Sequence, residues 1–282
     1  MEITYVDREF VAHSIPKRKI DAHKGDFGKI LLLCGSRGYT GAAALAAMGA
    51  LRSGAGLVYL GVPESIYAIE AVKLTEPIVF PLADNDGQYG TSAISQVSKL
   101  LDRMDAVLIG PGIGRSDGCW KLLEYMLGNF NGPVVVDADG INLLSAHKDI
   151  LRGRTAPTIL TPHAGEFSRL AGYAPMNRVS DAEELARELD AIVVLKGHGS
   201  VITDGNRSFV NTTGNPGMAV GGSGDVLAGI IVSLLGQGVM PLEAAACSVW
   251  LHGTAGDICA DELGQHGMLP TDILEVLPRL MK

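Results

Sequence analysis

The chain has 282 residues, 47% of them hydrophobic and 19% charged, which excludes a disordered protein and favours one folded domain over residues 1–282. Its net charge of −8 argues against a nucleic-acid binder, which normally presents a basic face. The longest apolar run, 226–235, is too short for the roughly 20 residues that span a bilayer, so no membrane segment is expected. The acidic start does not resemble a secretory signal, and a cytoplasmic protein with four reduced core cysteines is predicted.

From residue 29 onward, short β-rich apolar runs alternate with helical patterns, which is typical of a mostly parallel sheet with helices on both faces. The strands are predicted at 30–34, 57–61, 106–109, 134–137, 158–160 and 192–195. Two further strands, 201–203 and 208–211, flank Asp204-Gly205-Asn206 and are predicted to form a hairpin at an antiparallel edge. Helices are predicted at 41–53, 91–103, 117–128, 182–189, 223–235, 242–261 and 272–280.

Unusual residues follow five of the predicted strands directly. In open α/β sheets, ligands bind outside the carboxyl ends of the strands, so these five segments predict one shared crevice. The segments are Gly35-Ser36, Gly110-Pro111-Gly112-Ile113-Gly114, Asp137-Ala138-Asp139, Thr161-Pro162-His163 and Lys196-Gly197.

The strongest local signal is the glycine-rich run 215–225, which leads into an apolar helix. Its unpaired N–H groups and the positive end of the helix dipole attract a phosphate, with Gly221, Gly222, Ser223 and Gly224 as the anion hole. Asp225 could then accept the proton of an attacking hydroxyl. Alternatively, Ser223 or Asp225 only caps the helix, although capping does not explain four glycines within 217–224.

Two other strand ends carry candidate ligand contacts. His163 could touch a substrate and Glu166 could reach Mg²⁺ through water, or they are a turn histidine and a first-turn carboxylate. Lys196 could neutralise phosphate charge beside Gly197 and Gly199, or it is a solvated lysine in a glycine-rich hairpin.

Other segments are less decisive. Asp137 and Asp139 are interpreted as helix-capping carboxylates rather than groups that support a site. The GxxxxGK[ST], GxGxxG, HExxH and GxSxG signatures are absent, so a nucleotide would need another phosphate-binding design.

Gly222-Ser223-Gly224-Asp225 resembles the Gly-x-Gly-Asp segment of the ribokinase-like superfamily, which implies a three-layer α/β fold. From residue 23 to near the C-terminus, the sequence is similar to the ADP-dependent NAD(P)H-hydrate dehydratase family. Sugar and vitamin kinases of the superfamily tend to carry Asn where this chain has His163. The segments that carry the resemblance are 23–28, 41–43, 110–112, 160–167, 194–197 and 214–224.

The resemblance implies that ADP, assisted by Mg²⁺, phosphorylates the ring hydroxyl of hydrated NAD(P)H. Elimination of phosphate then leaves NAD(P)H and AMP. Asp225 would be the catalytic base, and Glu166 the group nearest to the metal. The resemblance also implies substrate contacts by Ala42 or Ala43, Gly112, His163 and Asp225, and nucleotide contacts by Lys196, Gly197, His198, Gly199, Ser200 and Gly224.

Partners are also implied. Many members of the family carry an N-terminal epimerase domain, for which too few residues precede the motifs here, so a separate epimerase is expected. A homotetramer is expected as well. Two alternatives remain: a vitamin-pathway kinase for hydroxymethylpyrimidine or hydroxyethylthiazole, and a nucleotide sensor with a vestigial site.

Overall fold

The computed structural model describes residues 3–281, and the ends of the predicted domain, 1–2 and 282, lie outside the described residues. Ten strands form one sheet in the order β1-β12-β11-β10-β9-β8-β7-β2-β3-β4, and β5 and β6 form a separate ribbon. The strands are β1 Ile3–Tyr5, β2 Lys29–Leu33, β3 Leu57–Pro63, β4 Ile78–Leu82, β5 Asp84–Asn85, β6 Gln88–Tyr89, β7 Ala106–Ile109, β8 Val134–Val136, β9 Thr158–Leu160, β10 Ile192–Leu195, β11 Val201–Thr203 and β12 Ser208–Val210.

Helices cover both faces of this sheet and create two separate hydrophobic cores. Along β2, Ile30 and Leu32 belong to one core, whereas Leu31 and Leu33 belong to the other, as the two-residue period of a strand requires. The predicted three-layer α/β fold is confirmed. The helices are α1 Arg8–Ser14, α2 Thr40–Arg52, α3 Glu64–Lys73, α4 Ala93–Leu101, α5 Asp117–Asn129, α6 Asp139–Leu144, α7 Ala164–Ala171, α8 Arg178–Leu189, α9 Ser223–Gly236, α10 Pro241–Leu263 and α11 Pro270–Leu280.

The predicted hairpin forms, but the prediction that it is the edge of the sheet is wrong. β11 and β12 pair antiparallel, and β1 then adds to β12 in parallel. β1 therefore occupies the edge. The opposite edge strand, β4, was not predicted because Pro81 interrupts its apolar run, and proline is tolerated at an edge, where a missing N–H need not break a ladder.

Helices α9 and α2 pack with their backbones in close contact, which fixes the position of α9. A Cβ on Gly229 would lie 2.2 Å from the Ala46 carbonyl oxygen, and a Cβ on Gly49 would lie 2.6 Å from that of Val226. The two backbones therefore approach more closely than any larger residue allows. This packing fixes the start of α9 above the carboxyl ends of the strands.

The four cysteines are buried and unbridged, as predicted. In the described part of the chain, no helix has both the length and the apolar character that crossing a membrane requires.

Candidate active site

A cavity of about 750 Å³ opens at the carboxyl ends of β8, β9 and β10. The start of α9 and the middle of α10 also line it. It brings together residues that are up to 116 positions apart along the chain, from Asp137 to Gly253. Of the residues predicted to form the site, those that line the cavity are His163, Glu166, Lys196, Gly197, His198, Ser200, Ser223, Gly224 and Asp225.

The start of α9 offers backbone donors to this cavity. Gly222 is the N-cap residue, with φ +97°, and no side chain caps the helix. Of the predicted anion hole, the Ser223 N–H donates to the Val220 carbonyl oxygen, whereas the N–H groups of Gly221, Gly222 and Gly224, and that of Asp225, donate to no acceptor within residues 3–281. The alternative that Ser223 or Asp225 caps α9 is therefore not what the geometry shows. Free amides at a helix start can hold a phosphoryl group.

An ion pair lies directly beside this helix start. Lys196 Nζ is 2.8 Å from Asp137 Oδ1, and the Asp137 side chain is only 1% exposed. A Cβ on Gly224 would lie 3.2 Å from Lys196 Nζ, so the glycine leaves the space that the amine needs. The interpretation of Asp137 as a helix cap is wrong, because the N-cap of α6 is Ala138 and Asp137 pairs with Lys196 instead.

The Asp225 carboxylate has an unusual environment. Burial raises the pKa of Asp225, the negative charges of Asp137, Asp139 and Glu166 raise it further, and Lys196 lowers it, with a result of about 7. A carboxylate with this pKa is suited to accept a proton near neutral pH. Burial opposes the charge of Lys196, but Asp137, Glu166 and Asp225 together raise the pKa of its amine, so Lys196 stays cationic.

His163 and Glu166 form a capping box at the start of α7. His163 Nδ1 accepts from the N–H groups of Gly165 (2.9 Å) and Glu166 (3.3 Å), and Glu166 Oε2 accepts from the His163 N–H at 2.9 Å. Because Nδ1 is an acceptor, the neutral ring carries its proton on Nε2. The His163 side chain is 55% exposed and lines the cavity, and its Nε2 lies 3.4 Å from Glu166 Oε1, so a ligand that accepts from Nε2–H would compete with that carboxylate oxygen.

The loop after β10 is shaped by its own hydrogen bonds. Ser200 Oγ accepts from the Gly197 N–H at 3.1 Å and donates to the Gly197 carbonyl at 2.8 Å. Arg178, from the first turn of α8, donates to the Leu195 carbonyl oxygen at 2.8 Å and packs against Gly197. Gly199, with φ +64°, completes the turn but does not line the cavity.

Ala42, Ala43 and Gly112 lie outside the cavity, where the loops after β2 and β7 meet. Ser36 Oγ donates to the Gly112 carbonyl oxygen at 2.7 Å, which ties the two loops together. A Cβ on Gly112 would lie 2.9 Å from the Ala42 Cβ. Ala43 is fully buried, whereas Ala42 is half-buried. Between the two alanines left open by the sequence, only Ala42 is accessible to a ligand.

Sequence reasoning missed helix α10 as a wall of the cavity, and it assigned no contact to Asn215, the first residue of the glycine-rich run after β12. Asn215 Nδ2 donates to Asp257 Oδ1 at 3.0 Å, and Asp257 Oδ2 accepts from the Gly214 N–H at 2.9 Å. Burial and the nearby Lys196 charge lower the pKa of His252 to about 4, and its Nε2 lies 3.3 Å from Ser223 Oγ. His252-Gly253 and Gly256-Asp257, two places where a glycine adjoins a polar residue in the middle of a predicted helix, were the available signal.

Carboxylates are the groups available for a cation. Asp137, Glu166 and Asp225 line the cavity, and hard cations such as Mg²⁺ prefer oxygen ligands. Across residues 3–281, no group of three or more His, Cys, Asp and Glu side chains is arranged to hold a metal ion. The donor set therefore fits Mg²⁺ only in a site completed by phosphate oxygens and water.

The match to known proteins identifies the family. The family model described as NAD(P)H-hydrate dehydratase matches residues 30–279. This chain belongs to the NAD(P)H-hydrate dehydratase family. An ADP-dependent (S)-NAD(P)H-hydrate dehydratase of Cenarchaeum symbiosum is 35% identical over an alignment that covers 100% of this chain and 98% of the relative.

A solved structure supports the same assignment to the NAD(P)H-hydrate dehydratase family. The ADP/ATP-dependent enzyme of Bacillus subtilis, co-crystallised with ATP and Mg²⁺, has a TM-score of 0.88 at 32% identity and covers 99% of this chain and 98% of its own. A bifunctional NAD(P)H-hydrate repair enzyme of Moorella thermoacetica is 42% identical over 95% of this chain. The chain spans about half the length, 52%, of that relative.

Proposed function

We propose that the chain catalyses the ADP-dependent dehydration of (6S)-NAD(P)H hydrate to NAD(P)H, with release of AMP and phosphate. The observation that carries this proposal is the position of Asp225. Its carboxylate, with a pKa of about 7, follows free backbone donors at the start of α9 and lies within the charge field of Lys196. A proton acceptor, an anion hole and a cation in one cavity are the parts that phosphoryl transfer needs.

In the proposed reaction, Asp225 removes the proton from the substrate hydroxyl as its oxygen attacks the β-phosphorus of ADP. The bond from that phosphorus to the bridging oxygen breaks, and AMP leaves. The N–H groups of Gly222, Gly224 and Asp225 hold the transferred phosphoryl group. Water then takes a proton from the adjacent ring carbon, the electron pair of that C–H bond forms the ring double bond, and the carbon–oxygen bond breaks so that phosphate leaves.

The residues have separate tasks in this proposal. Ala42, Gly112 and His163 contact the nicotinamide half, with the His163 Nε2–H as a donor. Lys196 and the loop from Gly197 to Ser200 contact the nucleotide. Glu166 would hold Mg²⁺ through water, and the bound cation would supply additional neutralisation of phosphate charge.

The direct test is incubation with hydrated NADH, Mg²⁺ and contaminant-free ADP or ATP, with the absorbance of reduced nicotinamide as the readout. We expect the absorbance to rise with ADP, and AMP to appear in equal amount. A phosphorylated product without recovered absorbance would support a vitamin-pathway type of kinase instead. Binding of ADP with no consumption in the presence of hydrate would support a nucleotide sensor.

His163 is expected to select the nicotinamide substrate. The matched variants are His163→Asn, which preserves an N-cap acceptor for α7 but lacks the Nε2–H, and His163→Ala, which loses both. Both should weaken hydrate binding about tenfold and change ADP binding by less than about twofold, while only the alanine variant should lose about 1 kcal/mol of stability. Calorimetric titration with each ligand decides, and equal losses for the two ligands would contradict the assignment.

The proposal also covers the compartment of the enzyme, its oligomeric state and its supply of substrate. We propose a cytoplasmic homotetramer that receives the correct hydrate epimer from an epimerase activity. Light scattering on the purified protein tests the tetramer, and the rate with unsorted hydrate epimers, with and without an added epimerase, tests the dependence.

A further inference from the structure

Two arginines at the crevice, Arg115 in the loop after β7 and Arg169 in α7, are held by one chain of hydrogen bonds. Arg115 Nε donates to Asp139 Oδ1 at 3.0 Å, and Asp139 Oδ2 accepts from the Gly114 N–H at 3.1 Å. Asn142 Nδ2 donates to the same Asp139 Oδ1 at 3.5 Å, and Asn142 Oδ1 accepts from Arg169 Nε at 2.7 Å. We refer to Arg115 and Arg169 as the arginine pair.

Both guanidinium groups are anchored by Nε alone, so their terminal amino groups remain available. No Nη atom of either arginine donates to an acceptor within residues 3–281. Arg169 is anchored by a neutral amide, and no described carboxylate lies within 4.0 Å of it. A guanidinium held in this way presents two parallel N–H groups, the geometry that binds two phosphate oxygens.

The arginine pair lies next to the substrate side of the proposed site. The point where a Cβ on Gly165 would stand is 2.9 Å from His163 Cε1 and 3.9 Å from Arg169 Nη1. Arg115 directly follows the 110–114 loop that contains Gly112. Neither arginine lines the 750 Å³ cavity described above. The positive charge of Lys196 in that cavity is already paired with Asp137.

We propose that the arginine pair binds the pyrophosphate of the dinucleotide substrate, an inference that rests on the proposed function. If the nicotinamide ring contacts His163 and Asp225 while ADP fills the cavity near β10, the strand order β10-β9-β8-β7 places Arg115 on the side of the ring away from ADP. The rest of the dinucleotide can extend toward the arginine pair on that side. A chain with a net charge of −8 needs such local cations to hold a second polyanion beside ADP.

The test compares Arg115→Gln, Arg169→Gln and the corresponding lysine variants with the wild type. Each glutamine variant should raise KM for hydrated NADH and for hydrated NADPH about tenfold, with kcat and the KM for ADP within about twofold. The KM values of the lysine variants should fall between those of the wild type and the glutamine variants, because lysine retains the charge but lacks the planar guanidinium with its parallel N–H donors. Arg152→Gln, which changes an exposed arginine in the loop before β9, on the side of the sheet opposite the carboxyl ends of the strands, should behave as wild type.

A truncated substrate separates phosphate binding from loop support. Hydrated reduced nicotinamide riboside has no phosphate, so the wild type should have a higher KM for it than for hydrated NADH. The arginine variants should have the same KM for the riboside as the wild type. Equal KM increases with the riboside would overturn the proposal, since the arginines would then act only through the loops. So would an increase confined to hydrated NADPH, which would assign them to the 2′-phosphate.

Failure of the two proposals can be told apart. Normal wild-type turnover with unchanged KM in both glutamine variants would overturn the arginine assignment and leave the dehydratase function intact. Absence of wild-type turnover would overturn the proposed function, and titration of the same variants with NADH, the unreactive product, would still report whether the arginine pair binds a dinucleotide.

Discussion

Asp225→Asn is expected to lower kcat by about 10²- to 10⁴-fold while ADP binding changes little, because the amide retains the shape of the side chain but cannot accept the substrate proton. Single-turnover rates and ADP titrations on one preparation measure both effects. In the wild type, kcat/KM for the hydrate should fall about tenfold per pH unit below pH about 7, where Asp225 is protonated. Near-normal turnover in the variant would remove Asp225 as the base.

The same variant is expected to be more stable than the wild type. The pKa of Asp225 is raised from 3.8 to about 7 in the folded state, so the unfolded state binds fewer protons between these values. The contribution of Asp225 to stability is therefore full below pH about 4, falls as the pH rises, and is lost above pH about 7. Asp225→Asn should raise the melting temperature at pH 8 by at least about 3 °C and leave it unchanged near pH 4. A lower melting temperature at pH 8 would indicate a capping role instead.

Lys196→Met is expected to cause the largest loss of stability of any single change in the site. It leaves the Asp137 carboxylate, 1% exposed, without its partner at 2.8 Å. Removal of one member of a buried ion pair typically costs about 3–5 kcal/mol, which corresponds to a decrease of roughly 10 °C in melting temperature for a chain of this size. Thermal unfolding at pH 7 measures the decrease in melting temperature. Lys148→Met is the control and should change it little, because Lys148 and Glu188 form a partly exposed pair worth about 1 kcal/mol or less.

The double variant Lys196→Met with Asp137→Asn separates stability from nucleotide binding. Most of the lost stability should return, because no buried charge is left unpaired. If Lys196 binds the phosphates of ADP, as proposed, ADP affinity should fall in Lys196→Met and should stay low in the double variant, since the cation is absent from both. Recovery of ADP binding in the double variant would show that Lys196 acts through Asp137 and does not contact the nucleotide.

Much of the fold could be predicted because most strands and helices are marked by a pattern of apolar residues within their own segment of sequence. Continuous apolar runs such as 106–109 and 192–195 became buried strands at the predicted residues, since both faces of a covered parallel sheet must be apolar. Two of the elements that were not predicted lacked such a pattern: β4 contains Pro81, and α6 has only six residues, too few to reveal a helical period.

The glycine-rich start of α9 and the family motifs were also present in the sequence. They identified the family and the crevice, because a segment that must approach a phosphate closely needs glycine at fixed positions. The roles of individual residues within the crevice stay predictions until the variants are measured.

Only the tertiary structure decided how the charged groups act on one another. Lys196 and Asp137 are 59 residues apart in sequence, yet their contact replaces the expected helix cap and helps to set the pKa of Asp225. Burial left the side chain of Ala42 accessible and that of Ala43 inaccessible, and the α7 capping box made Nδ1 of His163 the acceptor of two backbone N–H groups. Desolvation and Coulomb interactions depend on distances between side chains, and these distances exist only once the strands have paired and the helices have packed.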